Sequence, residues 1–312
     1  MVSQYLYLAK AWFKNLFSLR ATTAWLSAFG TLWLLVEITT FFFSDVKLFG
    51  TTNIPDNIRR LWPLFFIAGI ALAAFEARPR SSVSSKLNGR DISIRIVIGD
   101  LFLQPGAMVI GSNTTFDTRI SNNLISERSV QGLFTKKYYD DERQIEAELT
   151  VALQNVPSTA LLGTRVGNSL RYEIGTCAAV HPKGRTAYFL AIAHVNEHGV
   201  CSAKFEDVKE GLAKLWVFIG SRGSKERIVM PVIGTGFARL AETRTEVIHE
   251  IIKSFVAACS ERTFCEDLTI VISPSDATKY SISLKELEAF LDHECKYTAF
   301  ATGNRTPLGR VA

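Results

Sequence analysis

The sequence predicts an α/β domain layered around a core sheet, carried behind an N-terminal pair of membrane-spanning helices. Three observations predict this arrangement. Nearly all the exceptional hydrophobicity lies before residue 78, strand-period and helix-period patterns alternate from Asp91 onward, and a short polar stretch separates the two regions. At 312 residues the chain can bury a sizeable core, and 47% apolar against 21% charged residues excludes a disordered, collagenous or disulfide-stapled protein. A net charge of +5 gives no argument for a nucleic-acid partner, and none is expected. Cys177, Cys201, Cys259, Cys265 and Cys295 all follow position 170 without a C-x-x-C pair, which places that part in a reducing compartment.

Residues 1–80 form the predicted membrane region. Ala24 to Phe43 is 20 residues with Glu37 as its only charge, about 30 Å of helix and enough to cross a bilayer. Leu61 to Phe75 holds no charge in 15 residues, and it spans, as residues 59–77, if the flanking side chains snorkel or the bilayer thins. Lys10, Lys14, Arg20, Arg78, Arg80, Lys86 and Arg90 flank the pair on the outside of the hairpin, against Lys47, Arg59 and Arg60 between the spans, so both termini are expected in the cytoplasm. Before the first span, Tyr5, Leu8, Trp12, Leu16 and Leu19 recur at helical spacing. That stripe suits a helix lying in the headgroup layer, or a plain extension of the span. Glu37 either faces a protein interior or water-filled path, or reaches for the nearer interface.

Residues 81–90 read as a polar linker and 91–312 as the soluble domain. Ile92, Ile94, Ile96 and Ile98 alternate with Ser93, Arg95 and Val97, a strand ending at Gly99-Asp100. Ala107 to Gly111 is a second strand, and Asp140 to Leu153 a helix. Tyr172 to Val180 and Thr186 to Val195 read as paired strands joined through His181-Pro182-Lys183-Gly184-Arg185. Phe205 to Ile219 is an amphipathic helix, Ile228 to Ile233 a buried strand, Thr245 to Ala258 a helix and Leu268 to Ile272 a strand. Ser283-Leu284-Lys285-Glu286 is a capping box opening a last helix toward His293.

The chemistry concentrates at strand ends. Asp100 and Leu101 close the first strand, Ser112-Asn113-Thr114-Thr115 follows the second, and Gly234-Thr235-Gly236-Phe237 follows a late buried strand. Open α/β sheets bind ligands beyond the carboxyl ends of their strands, and N–H groups in glycine-rich turns cradle phosphates. Ser129-Val130-Gln131-Gly132 has the composition of a second such loop, with a helix N-terminus behind it favouring negative charge. A ligand carrying phosphates is expected.

Taken in this order the motifs resemble a macro domain, the fold that binds ADP-ribose, over Asp91 to roughly Ala301. Ile98-Gly99-Asp100-Leu101 resembles the acid that meets adenine, and Gly111-Ser112-Asn113-Thr114-Thr115-Phe116 stands where the family has its asparagine-rich ribose loop. Ser129-Val130-Gln131-Gly132 resembles the first phosphate loop and Val232-Ile233-Gly234-Thr235-Gly236-Phe237 the second. The resemblance implies a macro-domain-like three-layer fold, a mixed central sheet with helices on both faces. One Asn113 replaces the usual pair of asparagines flanking alanines, which speaks against hydrolase chemistry at the distal ribose.

With two spans in front, and with Ser129 to Tyr139 reading Ser-Val-Gln-Gly-Leu-Phe-Thr-Lys-Lys-Tyr-Tyr, the chain resembles the membrane-anchored macro effectors of bacterial Thoeris anti-phage systems. That resemblance implies a TIR-domain partner that consumes NAD and releases an ADP-ribose-containing signal, ADP-ribose joined to histidine. It further implies sensing by the macro domain, a homo-oligomer acting on the lipid bilayer of the bacterial inner membrane, and no catalytic residue. The alternative is a membrane-anchored ADP-ribosyl hydrolase or ADP-ribose-processing enzyme.

Other residues take plainer readings. His181, His194, His198, His249 and His293 show no two-histidine metal spacing, so no metal or resident cofactor is expected. Cys177 lies in a strand pattern beside Ala178, Ala179 and Val180 and reads as core. No G-x-S-x-G elbow is present. Arg222, Lys225 and Arg227 around Gly223 read as a solvated loop.

Overall fold

The computed structural model describes residues 2–42, 47–48, 52–53, 62–161, 167–196, 200–234 and 240–297. The chain divides into two compact units, Met1–Ser81 and Ser82–Ala312.

The first unit holds helices α1 (Val2–Leu16), α2 (Leu19–Phe42) and α3 (Trp62–Glu76), with a small hairpin of β1 (Lys47–Leu48) and β2 (Thr52–Asn53) between the last two. α1 is no plain extension of α2: the chain breaks at Phe17-Ser18, where the Ser18 hydroxyl donates to the Asn15 carbonyl at 2.6 Å and accepts from the Ala21 N–H at 3.3 Å. α1 instead hydrogen-bonds to α3, the Trp12 indole donating to the Ala74 carbonyl at 2.9 Å and the Asn15 amide to the Ala77 carbonyl at 3.2 Å. Gly69 lets α3 close on α2, because a Cβ there would stand 3.1 Å from the Trp25 ring, and Phe66 packs edge-on to Trp25 and Phe29.

Large apolar side chains of α2 and α3, among them Leu34, Phe41, Leu64 and Phe75, stay exposed. The hydroxyls of Thr31, Thr39 and Thr40 on α2 donate back to carbonyls of the preceding turn at 2.7–3.0 Å, which satisfies them without water. α2 is long and apolar enough over Ala21–Phe42 to cross a bilayer. α3 is shorter: its 15 described residues give about 22 Å of helix against a hydrocarbon core of about 30 Å, so it crosses only where the bilayer thins or the flanking side chains snorkel. The two-span expectation is therefore supported for the first helix only.

The second unit is built on one large mixed sheet. Its strands are β3 (Ser82–Lys86), β4 (Ser93–Ile98), β5 (Ala107–Asn113), β8 (Cys177–Val180), β9 (Ala187–Val195), β10 (Cys201–Ser202), β11 (Ile228–Pro231) and β12 (Asp267–Ile272), while β6 (Thr159–Ala160) and β7 (Leu170–Arg171) form a separate small hairpin. The order is β10-β9-β5-β11-β12-β4-β3, with β8 also on β9. β9, β5, β11, β12 and β4 run parallel, and β3, β8 and β10 are antiparallel. Helices α4 (Val130–Tyr138), α5 (Glu142–Leu153), α6 (Phe205–Arg222), α7 (Arg244–Glu261), α8 (Pro274–Lys279) and α9 (Leu284–Tyr297) complete the unit.

A parallel sheet covered on both faces needs strands apolar on both sides, and β9 meets that demand. Its residues are buried throughout except His194. Phe189 packs edge-on against Phe134 of α4 while the adjacent Tyr188 packs against Phe218 of α6, so neighbouring side chains serve opposite helical layers. The three-layer architecture follows from this alternation.

One expected boundary moves. The segment read as a linker, residues 81–90, contains β3, paired with β4 from Ser82↔Val97 to Lys86↔Ser93. Being an edge strand, β3 buries only Val83 and leaves its serines and lysine outward or at the margin, hence its polar sequence. Of the expected strand Tyr172 to Val180, only β8 is a strand, because residues 173–176 turn at Gly175 with φ +81°.

Candidate ligand-binding site

The carboxyl ends of the five parallel strands share one edge of the sheet, where the order β9-β5-β11-β12-β4 fixes the sequence of chemical groups. Asp100 follows β4, Ser273 follows β12, Gly234 follows β11 and Asn113 ends β5. Three strand spacings separate the Asp100 end from the Asn113 end, about 14 Å at 4.8 Å each. A glycine turn stands between an acidic end and an amide-and-hydroxyl end.

Asp100 is half-buried and caps a 3-10 turn at Leu101–Leu103, its Oδ1 accepting from the Phe102 N–H at 2.9 Å. Leu101 is buried in the core. Ser129 caps α4: its Oγ accepts from the Gly132 N–H at 3.0 Å and donates to the Ser126 carbonyl at 2.7 Å. The first N–H groups of α4, at Val130 and Gln131, have no intrahelical partner by construction and carry the positive end of the helix dipole. Val130 itself packs on the core beside α4. Gly234 is half-buried at φ +74°, a left-handed turn that favours glycine. Thr235, Gly236 and Phe237 lie outside the described residues.

Three expected site residues turn inward. Asn113, Thr115 and Gln131 are 3%, 0% and 4% exposed, and all bond to Asp117, itself 1% exposed. The Asn113 amide donates to Asp117 Oδ2 at 2.9 Å, and the Thr115 hydroxyl lies 2.7 Å from the same oxygen. The Asp117 N–H donates to Asn113 Oδ1 at 3.1 Å, and the Gln131 amide donates to the Asp117 carbonyl at 2.7 Å. Asn168 closes the network: its N–H reaches Asp117 Oδ1 at 2.9 Å, and its amide donates to the carbonyls of Thr115 and Phe116, each at 2.9 Å. Backbone N–H groups of the loop after β5 are engaged as well, Thr114 with the Ala193 carbonyl at 2.8 Å and Phe116 with the Asn113 carbonyl at 3.1 Å. A polar cleft of about 60 Å³ adjoins the network, lined by Asp117, Thr118, Arg119, Leu124, Glu146, Gly167 and Asn168.

Sequence reading missed Asp117 and Asn168. They stand 51 positions apart, and only the fold joins them. The one available signal was an acid two residues beyond Thr115 in an otherwise uncharged stretch. The remaining candidates lie elsewhere. Cys177 is buried and its thiol is pushed up to about 12 by burial, an effect the Lys214 ammonium opposes. Arg227 precedes β11, at the opposite edge of the sheet, and pairs with Glu266 at 3.3 Å and Asp267 at 3.4 Å. Among the described residues no group of three or more His, Cys, Asp or Glu side chains is placed to hold a metal.

The sequence profile of the family described as "Thoeris protein ThsA, Macro domain" matches residues 94–273, more than half of the chain. The chain belongs to that family. The ThsA macro profile thus covers the sheet from β4 to β12, and with it Asp100, Asn113, Ser129 and Gly234. The Thoeris protein ThsA of Bacillus amyloliquefaciens (strain Y2) is 20% identical over 220 residues, 67% of this chain and 71% of that protein. Among solved structures, the Oceanobacillus iheyensis macrodomain with ADP is 15% identical, with 67% of this chain and 98% of that chain covered at a TM-score of 0.46. The Trypanosoma brucei macrodomain in complex with ADP-ribose is 10% identical, with 60% and 67% covered at a TM-score of 0.41.

Proposed function

We propose that the chain is a signal-gated membrane effector of anti-phage defence, whose macro domain binds an ADP-ribose-containing nucleotide. The observation that carries the ligand class is the order of groups along the strand ends. An acceptor at Asp100 suits the adenine amino group, the Gly234 turn and the α4 N-terminus suit the pyrophosphate between, and the loop beyond β5 suits the distal ribose. Membership of the ThsA macro family supports placing this binding in Thoeris defence.

The reading is of a binder rather than a hydrolase. Among the described residues, the carboxylate nearest the β5 end, Asp117, is buried and engaged by Asn113, Thr115 and Asn168, which leaves it badly placed to activate a water. In this account a TIR-domain partner makes the signal from NAD, and the signal is ADP-ribose joined to histidine. The N-terminal unit sits in the inner membrane with both chain ends and the macro domain in the cytoplasm, and α2 and α3 cross as a hairpin. Ligand favours an assembled homo-oligomer, and so it must bind that state more tightly than the dispersed one. Assembly then breaches the bilayer and ends the infected cell.

The test is dye release from liposomes carrying the full chain, titrated with ADP-ribose and with its histidine conjugate. Leakage that saturates with one of these, and is absent with AMP, supports the reading. A bilayer that stays tight while ligand is demonstrably bound overturns the effector half of it.

A further inference from the structure

We infer that Asp117 is the positioning residue of the ligand site, a buried residue whose carboxylate and backbone carbonyl together set the two loops on either side of the bound molecule without touching it. The inference rests on the binding function proposed above. Among the described residues, Asp117 bonds to all three segments converging there. Through Asn113 and Thr115 it grips the end of β5, through its carbonyl it holds Gln131 in the first turn of α4, and through Oδ1 it holds the N–H of Asn168. The strand end and the helix start are tied to each other through these bonds, so their separation is set by the residue that joins them. A buried carboxylate met by several donors is a strong and geometrically demanding knot, because removing an acceptor leaves donors stranded without water.

The polarity of the knot makes it testable by exchange. Asp117→Asn puts an amide nitrogen against at least one of the donors from Asn113, Thr115 and Asn168. Asn113→Asp together with Asp117→Asn reverses the pair and restores complementarity. The new carboxylate at 113 accepts from the amide at 117, from the Thr115 hydroxyl and from the 117 N–H, while the amide oxygen at 117 keeps the Asn168 N–H.

The experiment is calorimetry on the full chain in detergent with two probes, ADP-ribose and AMP. AMP engages the Asp100 end and reaches no further than the first phosphate, so it depends much less on the loop spacing at β5 and α4. Asp117→Asn is expected to weaken ADP-ribose by about tenfold or more, with AMP held within about threefold, and the double exchange is expected to recover most of the loss. If Asp117→Asn unfolds the chain, Gln131→Met, which cuts only the link to α4, carries the same expectation. Wild-type ADP-ribose affinity in a folded single variant overturns the inference, as does an equal loss for both probes. Where the unmodified chain takes only the histidine conjugate, that conjugate replaces ADP-ribose as the probe, and failure to bind either one overturns the proposed function itself.

Discussion

Gly132 in the first turn of α4 lies against the Ser126 carbonyl so closely that any Cβ at position 132 would overlap the oxygen. The contact packs the turn at Ser126–Ser129 onto the helix start, and the Ser129 Oγ ties both together. Gly132→Ala must therefore open the turn or shift the helix. The expected cost is about 1–3 kcal/mol, a fall of roughly 2–10 °C in melting temperature, with loss of ADP-ribose binding. Thermal unfolding and calorimetry on the same sample check both.

Asp100 does two things that substitution separates. As a cap it serves the Phe102 N–H at 2.9 Å, and as an acceptor it is assigned the adenine. Asp100→Asn can keep the cap and should unfold near the wild-type temperature, whereas Asp100→Ala loses about 1 kcal/mol of stability. Both are expected to lose about 1.5–3 kcal/mol of binding, roughly a ten- to hundredfold weaker Kd. Wild-type affinity in either one removes Asp100 from the pocket.

The local structure at these two residues was legible in sequence, since an acid closing a strand and a glycine-bearing loop before a helix each leave a signature a few residues long. The parallel core strands were legible for the same reason, as in the alternating isoleucines of β4, which are fully buried. β3 was not, since an edge strand whose Ser-Val-Ser-Ser-Lys sequence buries one side chain has the composition of a linker. Nor was the inward turn of Asn113 and Gln131, which depends on Asp117 and Asn168 arriving from other segments. Composition shows that polar groups are present; only tertiary contacts show which way they face.

Burial makes the macro domain sensitive to alkali. The thiols of Cys177 and Cys259 are pushed up to about 12, and that of Cys295 to about 11, from an ordinary 9.0, in each case chiefly by burial. A folded-state value above the unfolded one means that the unfolded chain releases its protons first as pH rises. Their contribution is thus fully present below about pH 9 and is lost progressively toward pH 12. Melting temperature measured from pH 8 to 11 should fall through the upper part of that range, and Cys177→Ala should flatten the fall. An unchanged slope in that variant would exclude the thiol as a source.

Glu37 is exposed within the N-terminal unit, on the apolar helix that is long enough to cross a membrane. A carboxylate there is tolerated where it meets a protein interior or a water-filled path, which assembly of several chains would supply. Glu37→Leu is expected to leave ADP-ribose affinity unchanged while abolishing ligand-dependent dye release from liposomes. Full release from the Glu37→Leu protein would assign that carboxylate no part in the lesion.

The macro domain is proposed to bind an ADP-ribose-type molecule and to return it intact. Calorimetry of ADP-ribose and its histidine conjugate against the full chain, followed by mass spectrometry of the recovered ligand, tests it most directly. Saturable binding is expected, one molecule per chain and roughly ten- to hundredfold weaker in Asp100→Ala, with all the ligand recovered unchanged. No heat with either compound, or recovery of cleaved products in place of the ligand, would contradict it.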